Sequence, residues 1–303
     1  MLNTILETCA GTLTQGLIYA ILSYGIFITY KILDFPDLTV DGSFPLGAAV
    51  TAVLLTRGVN AWLTLPVSLL IGAAAGLCTG LIHVRAKVRD LLAGIITMTA
   101  LYSINLQIAG SNLTVERAVD TIYTSAPVMA VLGGVPLLYR KLLVSLVLVV
   151  LIGLVLEWYF STKNGLLLRA VGDNDTLVTT LAVDKGRMKI LGLVIANALV
   201  ALSGCIVCQE GRSFSATMGT GQMVFGLAAV IIGTTLFRRV SFVRGTAAVV
   251  IGSILYKLCI QIAILLGLPG NMLKFMTAAL FLVILITGNL TGRKGGADGA
   301  GAA

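Results

Sequence analysis

Lys141–Phe160 reads KLLVSLVLVVLIGLVLEWYF, with no charged residue between Lys141 and Glu157. As an α-helix these 20 residues would extend about 30 Å, the thickness of a bilayer's hydrocarbon core. Further apolar stretches lie between polar breaks, at about 12–33, 38–56, 62–82, 90–110, 188–209, 219–237, 243–266 and 271–289. Over all 303 residues, 57% are hydrophobic and 11% charged, and the mean hydropathy is +1.00. A soluble domain carries roughly 25% charge, so this chain lacks the polar surface to enclose a globule. The reading is all-α: a polytopic transmembrane helical bundle of about nine spans, eight to ten allowing for uncertain ends. Residues 1–290 are expected to form one membrane domain, and 291–303, rich in Gly and Ala, a disordered tail.

Loop charge sets the expected orientation. Of the 21 Lys and Arg residues, 14 fall in loops on the side of the long 161–189 connection, which the positive-inside rule makes cytoplasmic. Nine spans then put the N-terminus outside and the C-terminus in the cytoplasm. The net charge of +8 follows from this topology, and no nucleic acid is needed to explain it. Met1–Gly11 lacks the basic start of a cleavable signal peptide, so the first apolar stretch is expected to remain as a span. Cys205 and Cys208 lie in an apolar helix rather than a strand-to-helix turn and read as small interface residues. His83 ends the third span as part of a basic loop, and Lys257 is expected to snorkel from the outer end of span eight.

Two segments echo one another: DGSFPLGAAV at Asp41–Val50 and GQMVFGLAAV at Gly221–Val230. They lie five spans apart and would run in opposite directions, as inverted transporter repeats do. The first overlaps a break at Asp34–Pro45 that concentrates Pro36, Pro45, Gly42, Asp34, Asp37 and Asp41 beside an apolar span. At membrane depth such a break must be satisfied by protein or line a cavity. A helix starting at Ser43, followed by Phe44, would aim its N–H groups at a carboxylate while Asp37 or Asp41 met an ammonium. The alternative is a span starting at the interface, with Asp and Ser as caps. Thr99, Tyr102 and, more loosely, Asn105 share a face by i, i+3 spacing; these, with Asn197 and Gln222, either line a path or bond a neighbouring helix.

The loop NGLLLRAVGDNDTLVTTLAVD, Asn164–Asp184, carries the functional reading. Asp173 or Asn174 would cap a short helix starting near Asp175, with Leu177, Val178 and Leu181 as its apolar stripe. Such a helix crosses no membrane and suits a groove on another protein. This region, from Arg169 through Gly172, resembles the coupling region of ABC importer permeases in the branched-chain amino acid and ribose permease superfamily. LDFPDLTVDGSFPLG at Leu33–Gly47, GIITMTALYSINL at Gly94–Leu106, NALVALSG at Asn197–Gly204 and GLAAVIIG at Gly226–Gly233 resemble its tryptophan/tyrosine-type branch. Ala216 and Thr234 stand where that resemblance implies acidic residues.

The resemblance implies a bacterial inner-membrane homodimer, two cytoplasmic ATPase subunits, an extracytoplasmic solute-binding protein and a small organic solute, aromatic amino acids favoured. It assigns coupling to Arg169, Gly172, Asp173, Asn174, Asp175 and Leu177. No G-x-x-x-x-G-K-[ST] phosphate loop occurs in the chain, so ATP and Mg²⁺ are expected on the partner ATPase, with no cofactor or metal on this chain and no catalytic residues. A secondary transporter or channel is the alternative, with intramembrane aspartates coupling to an ion. An intramembrane hydrolase would need a nucleophile–base pair or a metal site, and one interfacial histidine with no H-E-x-x-H leaves little to build either.

Overall fold

The computed structural model describes residues 2–173, 184–237, 244–267, 272, 275–283 and 286. Its helices follow the apolar stretches closely: α1 (Leu2–Ile26), α2 (Val40–Thr56), α3 (Ala61–Val84), α4 (Asp90–Ala109), a short α5 (Ala126–Leu132), α6 (Leu137–Ser161), α7 (Lys163–Asp173), α8 (Lys185–Gly211), α9 (Gln222–Leu236) and α10 (Gly245–Leu265). Residues 275–283 are helical as well. Helices dominate because a chain inside hydrocarbon must pair its N–H and C=O groups within itself. Among the described residues the one sheet lies between α4 and α9 in chain order: β1 (Asn112–Thr114) pairs antiparallel with β2 (Ser213–Ser215), Leu113 opposite Phe214.

Among the described residues, seven helices are long and apolar enough to cross a membrane. The chain is therefore a multi-pass membrane protein. The expected count of nine is not reached on that measure. The second expected span, α2, is a 17-residue helix, and much of the ninth lies outside the described residues.

Two helices form the centre. In their most apolar stretches, 78% of α1 and 72% of α8 is buried, against 28–33% for α3, α4, α6 and α10. The outer helices turn Leu70, Leu92, Val147, Leu154 and Trp158 outward, as helices bathed in lipid do. The packing around the centre repeats: α8 carries α2 and α3, α1 carries α9 and α10, and α1 and α8 pack on each other. These are the pairings expected if α1–α3 and α8–α10 are related units, as the echo between α2 and α9 suggests.

Small residues permit the close approaches. A Cβ on Gly72 or Gly76 of α3 would run into the carbonyls of Asn197 and Leu193 on α8. Gly47 of α2 and Gly204 of α8 face each other's helices at Ala201 and Phe44 in the same way. Without a hydrophobic force between helices in lipid, such contacts and interhelical hydrogen bonds hold a bundle together. Ser203 Oγ donates to Ile18 O and Ser253 Oγ to Gly16 O, both at 2.9 Å. Cys205 and Cys208 are fully buried in α8, in keeping with their reading as interface residues.

Candidate functional site

The Asp34–Pro45 break is built around one carboxylate. α1 closes in a π-helical turn at Phe27–Ile32, and Asp34 adopts φ +50°. Phe35 N–H donates back to Thr29 O at 2.8 Å, while Pro36 has no N–H to leave unpaired. Asp37 Oδ1 accepts the Thr39 N–H at 2.9 Å, an Asx-type turn that starts α2 at Val40. The helix thus begins three residues before the expected Ser43, because Asp37 already turns the chain there.

Asp37 is 1% exposed. Its Oδ2 accepts from Asn197 Nδ2 at 2.7 Å, and Asn197 Oδ1 accepts the Ser43 hydroxyl at 2.8 Å. Asn197 is the thirteenth of the 27 residues of α8, about 18 Å of rise from Lys185. The Asp37–Asn197–Ser43 chain therefore lies at mid-length of α8, whereas Asp34, where the break starts, is exposed.

Asp41 has a different task. Its Oδ2 accepts the Gly221 N–H at 3.0 Å and its Oδ1 the Met223 N–H at 2.8 Å. A carboxylate from α2 thus caps the start of α9, where unpaired N–H groups and the helix dipole favour negative charge. The opening residues of the two echoing segments, Asp41 and Gly221, are in direct contact. Pro45, inside α2, removes the donor that would have claimed the Asp41 carbonyl, and Gly219 packs against that oxygen with no room for a Cβ.

The polar residues of α4 divide. Asn105 is fully buried and its Nδ2 donates to Gly42 O at 3.1 Å, while its Oδ1 has no partner among the described residues. Thr97 and Leu101 share that buried face. Thr99 and Tyr102 are exposed instead, and Thr99 Oγ1 bonds only to Ile95 O of its own helix. Asn105, the loosest member of the expected face, departs from it because each i, i+3 step falls about 60° short of a full turn, so two steps separate it from Thr99 by about 120°.

Beside the break lies an aromatic cluster that connects distant stretches of sequence. Phe44, fully buried, meets Tyr19 at 5.8 Å; Tyr19 meets Phe225 at 5.0 Å, and Phe225 meets Tyr256 at 4.9 Å between ring centroids. The Lys257 ammonium sits 3.6 Å from the Tyr19 ring centroid and 5.1 Å from that of Phe225. It turns inward over these rings rather than snorkelling out. Such contacts contribute roughly 0.5–2 kcal/mol, short of the ~2.5–3.5 kcal/mol that a charge at the centre of an inserted helix costs. A cleft of about 480 Å³ opens here, lined by Tyr19, Thr217, Gln222, Phe225 and Lys257 among others. Gln222 Nε2 donates to Met218 O at 2.8 Å along its wall.

The break also has a mechanical neighbour. α7 carries Arg169, whose guanidinium lies 5.0 Å from the Phe160 ring centroid, and Gly172, packed on the carbonyl of Ile32 with no space for a side chain. Ile32 and Leu33 lead straight into the break. Leu33 is wedged beside Leu168 of α7 against Gly192 of α8. Asp173 is the last described residue of α7, and the cap expected of it falls at the edge of the described residues. Asn174, Asp175 and Leu177 lie outside the described residues, as does the helix expected near Asp175. His83 sits where its basic loop was expected: Nδ1 lies 2.9 Å from Val88 O, and the ring packs edge-on against Phe35.

Residues 8–285 match the family model described as the permease component of branched-chain amino acid transport systems. The chain belongs to that permease family. The permease is 37% identical over 280 residues to the tyrosine transport system permease protein of Clostridioides difficile, covering 92% of this chain and 91% of that one. It is 27% identical over 237 residues to the ribose import permease protein of Haemophilus influenzae, with 76% and 69% covered. With the nucleoside ABC transporter permease protein of Lactococcus lactis it shares 28% identity over 212 residues, covering 65% and 66%. No solved structure matches the permease.

The geometry of the permease predicts a specific effect at Asp41. Asp41→Asn turns an amide nitrogen toward one of two backbone donors and removes the charge that complements the start of α9. A loss of about 1–2 kcal/mol is expected, visible as a lower melting temperature in detergent with the fold kept. An unchanged melting temperature would mean that the cap is dispensable. Sequence reasoning passed over Tyr19 and Tyr256 because aromatics in apolar segments read as filler. The available signal was Lys257, a cation inside an apolar span.

Proposed function

We propose that this permease is the transmembrane subunit of an ATP-driven importer for an aromatic amino acid, with tyrosine the leading solute. It acts as a homodimer in the bacterial inner membrane, N-terminus outside and C-terminus cytoplasmic. Residues 1–290 are the permease domain and 291–303 a tail. Two cytoplasmic ATPase subunits hold ATP and Mg²⁺, and an extracytoplasmic binding protein delivers the solute. The name of the Clostridioides difficile relative supports the solute class.

The observation that carries the mechanism is the seat of Gly172 on Ile32. Closure of the ATPases on nucleotide displaces the 164–184 loop, in which Arg169, Gly172, Asp173, Asn174, Asp175 and Leu177 act as the coupling element. α7 transmits the displacement to Ile32–Leu33 and so to the break. Asp37, Asn197 and Ser43 hold the break as one rigid piece, and Asp41 ties it to the start of α9. The path between outward- and inward-open states then re-forms beside Phe44, Asn105 and Gln222, with Thr99 and Tyr102 on the outer face of α4. In a secondary transporter these aspartates would bind the coupling ion. Here both oxygens of Asp37 and of Asp41 already accept protein hydrogen bonds, which favours the ATP-driven reading.

Affinity purification of the tagged permease from its native host tests this proposal. It is expected to bring down an ATPase whose turnover rises with the solute-loaded binding protein. A permease that purifies without an ATPase and concentrates solute on a sodium or proton gradient would establish the alternative.

A further inference from the structure

Lys257 faces the cleft with no carboxylate beside it among the described residues. Lys257 lies twelve residues from Gly245 and eight from Leu265 along α10, roughly 18 Å and 12 Å of rise from the two ends, so its charge is held well inside the helix. Among the described residues no carboxylate lies within ion-pairing distance of it; its recorded contacts are the π faces of Tyr19 and Phe225. Among the described residues it is the one charged residue lining the cleft, beside Thr217, Gln222 and Gly221. At about 480 Å³ the cleft falls within the range of small-molecule sites. It borders the break directly, because Asp41 holds the Gly221 N–H and Phe44 stacks on Tyr19.

The geometry points to this cleft as the solute site, with Lys257 pairing the solute's carboxylate and Tyr19 and Phe225 facing its apolar or aromatic body. The inference deepens the proposed function, on which it rests for the solute class, and is narrower in one respect: it requires an anionic group. A neutral sugar or nucleoside would leave Lys257 as unpaired as before, and an amine without a carboxylate would be repelled. A carboxylate brings the missing charge into a region of low dielectric, where such a pair is strongest.

The test is protection of an introduced thiol. Thr217→Cys is placed in a background with the exposed Cys9, Cys78 and Cys259 replaced by serine, and the full-length permease is reconstituted in nanodiscs. Labelling by a small water-soluble thiol reagent is followed with L-tyrosine, 3-(4-hydroxyphenyl)propionate, tyramine, L-leucine or uridine present. L-Tyrosine and the propionate are expected to slow labelling, and tyramine and uridine to leave it unchanged. Lys257→Gln should raise the L-tyrosine concentration for half-protection about tenfold or more, the loss of one charge-assisted hydrogen bond, while Lys257→Arg keeps most of the protection. Should the glutamine variant fail to fold, the contrast between the propionate and tyramine in the unaltered site still decides. Protection by L-leucine but not L-tyrosine, lost in Lys257→Gln, would sustain the carboxylate site while refuting the aromatic solute. Protection by uridine, equal protection by tyramine and the propionate, unaltered protection in Lys257→Gln, or none by any carboxylate would overturn the site.

Discussion

Asn197→Leu is expected to leave little folded permease. The side chain is fully buried and makes three hydrogen bonds: Nδ2 donates to Asp37 Oδ2 at 2.7 Å and to Leu193 O at 3.1 Å, and Oδ1 accepts from Ser43 Oγ at 2.8 Å. Leucine has the same branching but bulkier methyl groups, so some overpacking adds to the loss of hydrogen bonds. The substitution strands one oxygen of a carboxylate that is 1% exposed, and the Ser43 hydroxyl with it. Leaving a buried carboxylate oxygen without its donor costs about 3 kcal/mol or more, a large share of a net stability of roughly 5–15 kcal/mol. The yield of monodisperse protein in size-exclusion chromatography should fall sharply, with a lower melting temperature in what remains. Adding Asp37→Asn should restore part of the loss, since a neutral amide is less costly to leave half-paired. A single variant with unaltered yield and melting temperature would mean that the Asp37–Asn197–Ser43 chain does not hold the break.

Gly172→Leu should uncouple the transporter while sparing its fold. Any Cβ at 172 runs into the Ile32 carbonyl, so α7 must lift away from the residues that enter the break. α7 is amphipathic and rests against the bundle through Leu168 and Val171, so a shift there leaves the α1–α8 centre intact. Solute-stimulated ATP turnover and uptake should drop about tenfold or more, the effect of a 1–2 kcal/mol change in coupling, with Gly172→Ala in between. Arg169→Glu should act in the same direction, since it loses the contact over Phe160 and reverses a charge on the exposed face of α7. Transport and ATPase copurification that both survive Gly172→Leu would remove this contact from the coupling route.

The sequence showed the helices well and their meetings poorly. The apolar stretches are long and cleanly bounded, so hydropathy alone places α3, α4, α6, α8 and α10 within a few residues. Asp41 and Gly221 were also legible as a related pair, because the echo between them is written in sequence. That the Asp41 carboxylate binds the Gly221 N–H was not, because a hydrogen bond across 180 positions leaves no local pattern. Local spacing also misled at Asn105, where a short i, i+3 series hides the drift of a helix. Ser43 as a helix start was missed by three residues because Asp37, an Asx-turn former, was read as a ligand. Lys257 was read as a snorkelling residue because nothing in its own segment announces Tyr19, far upstream in the chain.

Uptake into sealed vesicles tests the central claim most directly. The permease is reconstituted with its ATPase and supplied with the binding protein outside, and radiolabelled L-tyrosine is followed with ATP or a non-hydrolysable analogue enclosed. Accumulation against a gradient with ATP, none with the analogue, and indifference to sodium and proton ionophores is the predicted result. Accumulation that proceeds without ATP hydrolysis and collapses with the ion gradient would contradict it.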